Sequence, residues 1–217
     1  MNQIEFGGLQ VARSPLYSPS DLFGIGYGLY IVTCRENGKD NGLVVNTVSQ
    51  IGLNPDLIAV SLSRANFSTE VIRRTGRMNV SILTESTPFS LFERFGFQSG
   101  RNTDKMKGIT YGRSENNLPY LTGYAKAFLS LKVFSVVELP SHLLFLCSVE
   151  ESATLSEEPA VTYAYYHQRI KPQRNPTEKK KGWVCKICGY VHEGETLPED
   201  FICPICKHPA SDFERIG

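Results

Sequence analysis

Four cysteines near the end of the chain have the type and spacing to hold one metal ion. Cys185-Lys-Ile-Cys188 is followed, after 14 intervening residues, by Cys203-Pro-Ile-Cys206. Each CxxC pair wraps a metal in a tight turn, and two such pairs complete a tetrahedron of thiolates. Two disulfides are the alternative reading of the same spacing. Zinc and iron both accept four thiolates, so spacing leaves the metal open. Gly189 follows the first pair, where the backbone must turn and present N–H groups to sulfur. Trp183, Tyr190, Phe201 and Phe213 surround the cysteines and can shield them. A module this small needs the metal as its staple. His192 and His208 lie close by, but four cysteines fill the coordination sphere, so both read as surface residues.

Three polar patches upstream have the chemistry to hold a phosphorylated ligand. The first is Asn46-Thr47-Val48-Ser49-Gln50, which interrupts a strand-like passage. The second is Ser61-Leu-Ser63-Arg-Ala-Asn66-Phe-Ser68, leading into a helix start, where hydroxyl and amide groups can hold phosphate. The third is Ser99-Gly100-Arg101 with Lys105 beyond it, backbone donors combined with fixed cations. Each patch alone also reads as ordinary turn and cap chemistry. No GxGxxG run follows a strand, so there is no sign of a Rossmann dinucleotide site. No Ser/His/Asp or Cys/His arrangement stands out, and no catalytic side chain is singled out.

These groups need elements to position them, and charge marks the boundaries. Residues 1–168 carry 14 Lys and Arg against 15 Asp and Glu. Residues 169–181, RIKPQRNPTEKKK, carry 6 against 1 and have few apolar side chains, so they read as an exposed linker. Residues 182–217 carry 3 against 6. The basic run is a solvated spacer or, alternatively, a nucleic-acid patch. With a formal net charge of +1 the whole chain has no field to draw it to nucleic acid or membrane. No apolar stretch approaches the roughly 20 residues a membrane helix needs, and the N-terminus lacks the pattern of a secretory signal. Cys34 and Cys147 sit in apolar contexts and read as buried thiols. The expectation is a cytoplasmic protein with reduced cysteines, where CxxC favours metal over disulfide.

The first block reads as mainly β. Tyr27–Cys34 and Gly42–Ile51 are β-rich, with the hairpin signal ENGKDN between them. Leu57–Ser63, Asn79–Leu83 and Leu143–Glu150 are further strands. Ala125–Leu139 alternates, with Leu129, Leu131 and Val133 on one face and Lys126, Ser130 and Lys132 on an exposed one. Ser68 is the expected cap of a helix over Thr69–Arg77, and Thr87-Pro88 starts a short helix through Phe95. Many short strands with few helices point to a barrel or sandwich.

Two resemblances sharpen this. The segment WVCKICGYVHEGETLPEDFICPICKHPASDFERIG resembles a rubredoxin domain, and its short insert between the pairs is similar to the module that ends rubrerythrins. That implies one iron on Cys185, Cys188, Cys203 and Cys206, cycling between ferrous and ferric; a structural zinc ribbon is the alternative. Residues 20–168, through YGLYIVTCRENGKDNGLVVNTVSQIGLNP, IAVSLSRANFSTEVI, FGFQSGRNTDK and VTYAYYHQ, resemble the flavin reductase-like family, an FMN-binding split β-barrel with flavin at a dimer interface. The resemblance implies that Asn46, Thr47, Ser49 and Gln50 line the isoalloxazine and ribityl chain. It places Ser61, Ser63, Asn66 and Ser68 on the ribityl and phosphate, and Ser99, Gly100, Arg101 and Lys105 on the phosphate. Tyr163, Tyr165 and Tyr166 approach the ring or form a buried strand edge. The order flavin domain, linker, rubredoxin-like module is similar to that of the high-molecular-weight rubredoxins. It implies NAD(P)H as donor, electrons passed to a tethered iron, and a diiron flavoprotein that reduces nitric oxide or oxygen as acceptor, in a homodimer. The alternatives are a flavin reductase with a structural zinc ribbon, and a flavin and iron carrier that is not an enzyme.

Overall fold

A computed structural model of the chain describes residues 3–6, 9–12, 24–172, 182–185, 190–203 and 209–216. Two short strands, β1 (Gln3–Phe6) and β2 (Leu9–Ala12), pair with each other. The next hairpin shows why the chain folds as it does. Asn37 and Gly38 both take positive φ (50° and 79°), as a two-residue hairpin turn requires. They join β3 (Tyr30–Glu36) to β4 (Lys39–Val45). Asn46 and Thr47 then lead into β5 (Val48–Gly52), which pairs with β6 (Leu57–Ser63). The sequence reading ran β4 and β5 together; the structure breaks them at these two polar residues.

After β6 come helix α1 (Phe67–Thr75), β7 (Arg77–Leu83) and helix α2 (Phe89–Gly96). A small ladder of β8 (Tyr111–Arg113) and β9 (Pro119–Leu121) precedes two long strands, β10 (Ala125–Glu138) and β11 (His142–Thr154). Seven of these strands form one antiparallel sheet in the order β4-β3-β7-β10-β11-β6-β5. The sheet's two edges, β4 and β5, are consecutive in the chain. Six strand spacings of a flat sheet would part them by roughly 29 Å. The three Cα steps from Val45 to Val48 span about 11 Å at most. The sheet must therefore curl until its edges meet, and no hydrogen-bonded ladder joins them: it is a split barrel.

The barrel interior is filled by Val32, Val60, Leu62, Val80, Leu131 and Phe145, with Val71 and Ile72 of α1 closing one end. A second apolar layer lies outside, where Ile31 and Leu83 meet Leu91, Phe92 and Phe95 of α2. Cys34 and Cys147 are both in the interior, and burial pushes each thiol up to about 12. Ser130, expected on an exposed face, is buried. The polar loop before β9 covers it, and Asn116 Nδ2 donates to its Oγ at 2.6 Å.

The chain divides into two units, Met1–Lys171 and Pro172–Gly217. A turn of α-helix at Tyr163–Tyr165 passes into a π-turn at Tyr166–Ile170, and Ile170 packs on the outer apolar layer. Arg169 and Ile170, assigned by composition to the linker, thus complete the first unit. Residues 173–181 of that linker lie outside the described residues. In the second unit β12 (Gly182–Cys185) is flanked by β13 (Val191–His192) and β14 (Phe213–Ile216). Among the described residues no helix is long and apolar enough to cross a membrane.

Candidate functional site

The register of β6 and its neighbours places much of the first two patches on one surface. Along β6, Ile58, Val60 and Leu62 point into the barrel, so Ala59, Ser61 and Ser63 point out and are half-buried. Side chains directly opposite in paired strands share a face. Ser49 of β5 is opposite Ala59. On β11, Leu146 is opposite Ala59, Leu144 opposite Ser61, and His142 opposite Ser63. Beyond them Val137 of β10 is opposite Leu144. The outer face therefore offers an aliphatic floor with hydroxyls along one border. Such a surface suits a flat aromatic ring carrying a polar chain.

Thr47 anchors the border. Its carbonyl accepts from Ser61 N at 3.0 Å and its Oγ1 donates to Ser61 O at 2.5 Å. Gln50 is exposed, with Nε2 3.3 Å from Asp56 Oδ1. His142, which sequence reasoning did not single out, lies with Nδ1 2.8 Å from Ser141 Oγ. Only pairing with Ser63 marks it, a signal that no local pattern carries.

The third patch lies against the first turn of α1. Arg101 Nη2 is 2.5 Å from Glu70 Oε1, and its guanidinium covers the Phe67 ring at 4.7 Å. Gly100 packs so tightly on Asn41 that a Cβ there would overlap the carboxamide. Asn41 Nδ2 in turn donates to Ser68 Oγ at 2.9 Å, while its Oδ1 is buried without a hydrogen-bond partner among the described residues. Asn41 thus stands between the second and third patches, another residue that sequence reasoning missed.

Three of the expected contact residues are buried. Ser68 is not the helix cap: Asn66 holds that position, its side chain making no capping bond, and Ser68 is buried beneath with Asn41. Lys105 does not reach solvent. Its Nζ donates to Gly42 O at 3.0 Å and Phe95 O at 3.1 Å, and burial lowers its pKa to about 8. Tyr166 packs in the core and lies in a helical turn, not at a strand edge. It stacks on Phe89 at 6.5 Å and meets Phe92 at 4.7 Å. Tyr163 is half-buried and edge-on to Tyr27 at 6.3 Å.

In the second unit Cys185 and Cys203 are fully buried in one cluster with Phe213. Trp183, Tyr190 and Phe201 pack around them, and Cys185 N donates to Tyr190 O at 2.8 Å. Cys188, Gly189, Cys206 and His208 lie outside the described residues. His192 is half-buried against Phe201, their rings 4.6 Å apart. Two sulfurs brought from distant positions into one dry cluster are a donor set that fits a soft metal.

A model described as "Flavin reductase like domain" matches residues 22–173. The chain belongs to the flavin reductase-like family. A second model, "Rubrerythrin, rubredoxin-like domain", matches residues 183–214. This flavin reductase-like chain is 37% identical over 224 residues to a high molecular weight rubredoxin of Moorella thermoacetica, covering 90% of this chain and 98% of that one. It is 34% identical over 146 residues to a ferric-chelate reductase (NAD(P)H) of Archaeoglobus fulgidus, covering 67% and 86%. Among solved structures, the NADH:FAD oxidoreductase of Streptomyces globisporus shares the fold at a TM-score of 0.61 and 18% identity, over 70% of this chain and 93% of that one. The protein is therefore an oxidoreductase with a flavin reductase-like barrel and a rubredoxin-like module.

Proposed function

We propose that the outer face of β5, β6 and β11 binds FMN and that the two units together carry electrons from NAD(P)H to a protein acceptor. The observation that supports this most is the shared face of Ser49, Ser61 and Ser63 with Leu144, Leu146 and Val137. Leu144 and Leu146 would seat the ring and exclude water from one side of it, while Ser61 and Ser63 bond the polar chain. The Thr47–Ser61 bonds hold that border rigid, which keeps the hydroxyls in place before a ligand arrives. When bound, FMN supplies two-electron acceptance from NAD(P)H, and iron on the four cysteines supplies one-electron exchange. Phe201 and Phe213, meeting edge-on at 5.4 Å, would shield the sulfurs from water.

Residues 173–181 would tether the two units. Such a tether raises the effective concentration of one unit at the other to the order of millimolar. A second copy of the chain would cover the half-buried face, where Val137 is exposed. The acceptor we assign is a diiron flavoprotein reducing nitric oxide or oxygen, and the compartment the cytoplasm.

Anaerobic mixing of the purified full chain with NADH and with NADPH tests this reading, with iron and zinc measured on the same sample. Bleaching of flavin absorbance followed by loss of ferric thiolate colour is expected. Zinc without iron, or flavin left oxidised by both donors, would overturn it.

A further inference from the structure

The start of α1 carries an imbalance of charge. Arg64 directly follows Ser63 on the border of the candidate flavin face. Its Nη2 lies 3.0 Å from Glu138 Oε2, and its Nε donates to Leu139 O at 2.8 Å. Arg73, two turns along α1, lies 2.6 Å from the other oxygen, Oε1, of the same carboxylate. Two guanidinium groups therefore share one acid, and together they hold Glu138 below the usual carboxylate range, Arg64's hydrogen bond contributing most. The other nearby acids are matched one to one: Glu36 with Arg74, and Glu70 with Arg101. One positive charge beside Ser63 is thus left without an anion among the described residues. The adjacent helix start adds to this, because the Asn66 side chain makes no capping bond there.

The two cations expected to hold phosphate are differently placed. Arg101 is paired with Glu70 and lies over the Phe67 ring, and Lys105 points inward at two carbonyls. We propose that Arg64, backed by Arg73, is the cation that binds the flavin's phosphate, and that Glu138 competes with phosphate for both guanidinium groups. This rests on the flavin reading given above. The fork of a guanidinium matches two oxygens of a phosphate as well as two of a carboxylate. Glu138 would then set how tightly the phosphate is held: it keeps Arg64 extended along the β10–β11 turn when the site is empty and releases it when the stronger anion enters.

The test compares FMN with riboflavin, which lacks the phosphate, on the flavin-free full chain by quenching of flavin fluorescence. Arg64→Gln should weaken FMN binding by about tenfold or more, the usual worth of a charge-assisted bond, and leave riboflavin within about twofold. Glu138→Gln should tighten FMN and leave riboflavin unchanged, a direction that loss of a merely structural contact would not produce. Arg101→Gln should cost FMN less than Arg64→Gln does. Arg77→Gln, which breaks an exposed pair with Glu150 elsewhere on the barrel, should leave both affinities unchanged. Equal losses of FMN and riboflavin in Arg64→Gln, or weaker FMN binding in Glu138→Gln, would overturn the assignment. A wild-type chain that binds both flavins equally would keep the flavin face and remove the phosphate proposal; one that binds neither would remove both.

Discussion

Replacing Lys105 by Met separates the two roles this side chain could have. The structure makes Lys105 an internal strut whose ammonium is buried, its pKa lowered from 10.5 to about 8. The unfolded chain therefore holds the proton more tightly than the native one. Between about pH 8 and 10.5 the unfolded state binds more protons, so stability rises with pH across that window, and the full penalty of a buried charge applies below it. From about pH 7 to about pH 10 this one group should add roughly 2 to 3 kcal/mol of stability. Lys105→Met removes the gain. At about pH 7 the variant loses two hydrogen bonds, a cost of about 1–3 kcal/mol, but is relieved of a charge penalty of similar size, so it should unfold near the wild type. At about pH 10 it should be less stable by roughly the amount the wild type has gained. Urea unfolding followed by far-ultraviolet circular dichroism, on both proteins at both pH values, cancels titrations common to the two. FMN affinity is measured on the same samples and should stay within about threefold, since no phosphate contact is lost. A stability difference that does not change with pH, together with a large loss of FMN affinity, would refute the buried strut and return Lys105 to the phosphate.

Gly100→Ala forces a Cβ into the Asn41 carboxamide, so the third patch must move off α1. We expect a loss of about 1–3 kcal/mol in stability, read by thermal melting, and weaker FMN binding. Tyr166→Ala empties a site between Phe89 and Phe92 and should cost about 3–5 kcal/mol by the same measurement. An effect under about 1 kcal/mol would show that the tyrosine is not core. Cys185→Ser removes one of the four proposed iron ligands and should abolish iron binding and unfold the second unit, leaving flavin bound to the first. Elemental analysis and the visible spectrum check this; iron retained at full occupancy would show that Cys185 is not a ligand.

Some of this was legible because it is local. Asn37-Gly38 can only be a tight turn with positive φ, and Leu57–Ser63 alternates strictly enough to set which of its residues face the core. Other features were hidden because distant segments decide them. Ser130 looks solvent-facing by alternation, yet Asn116 comes from elsewhere in the chain to cover it. Lys105 and Ser68 have the chemistry of phosphate ligands, and packing turned both inward. Arg64 went unremarked because its worth depends on how many acids fold up beside it.

What the sequence determined by itself was the pair of CxxC turns, the strand-rich first block and the polar patches, all set by neighbours a few residues apart. Tertiary structure alone decided that β4 and β5 close a barrel, that Ser49, Ser61, Ser63 and His142 share one face, and that Glu138 serves two arginines. The physical reason is that strand propensity and turn chemistry act over short stretches. Register, burial and charge balance belong to contacts between residues such as Arg64 and Glu138, far apart in the chain, and exist only once the sheet has closed.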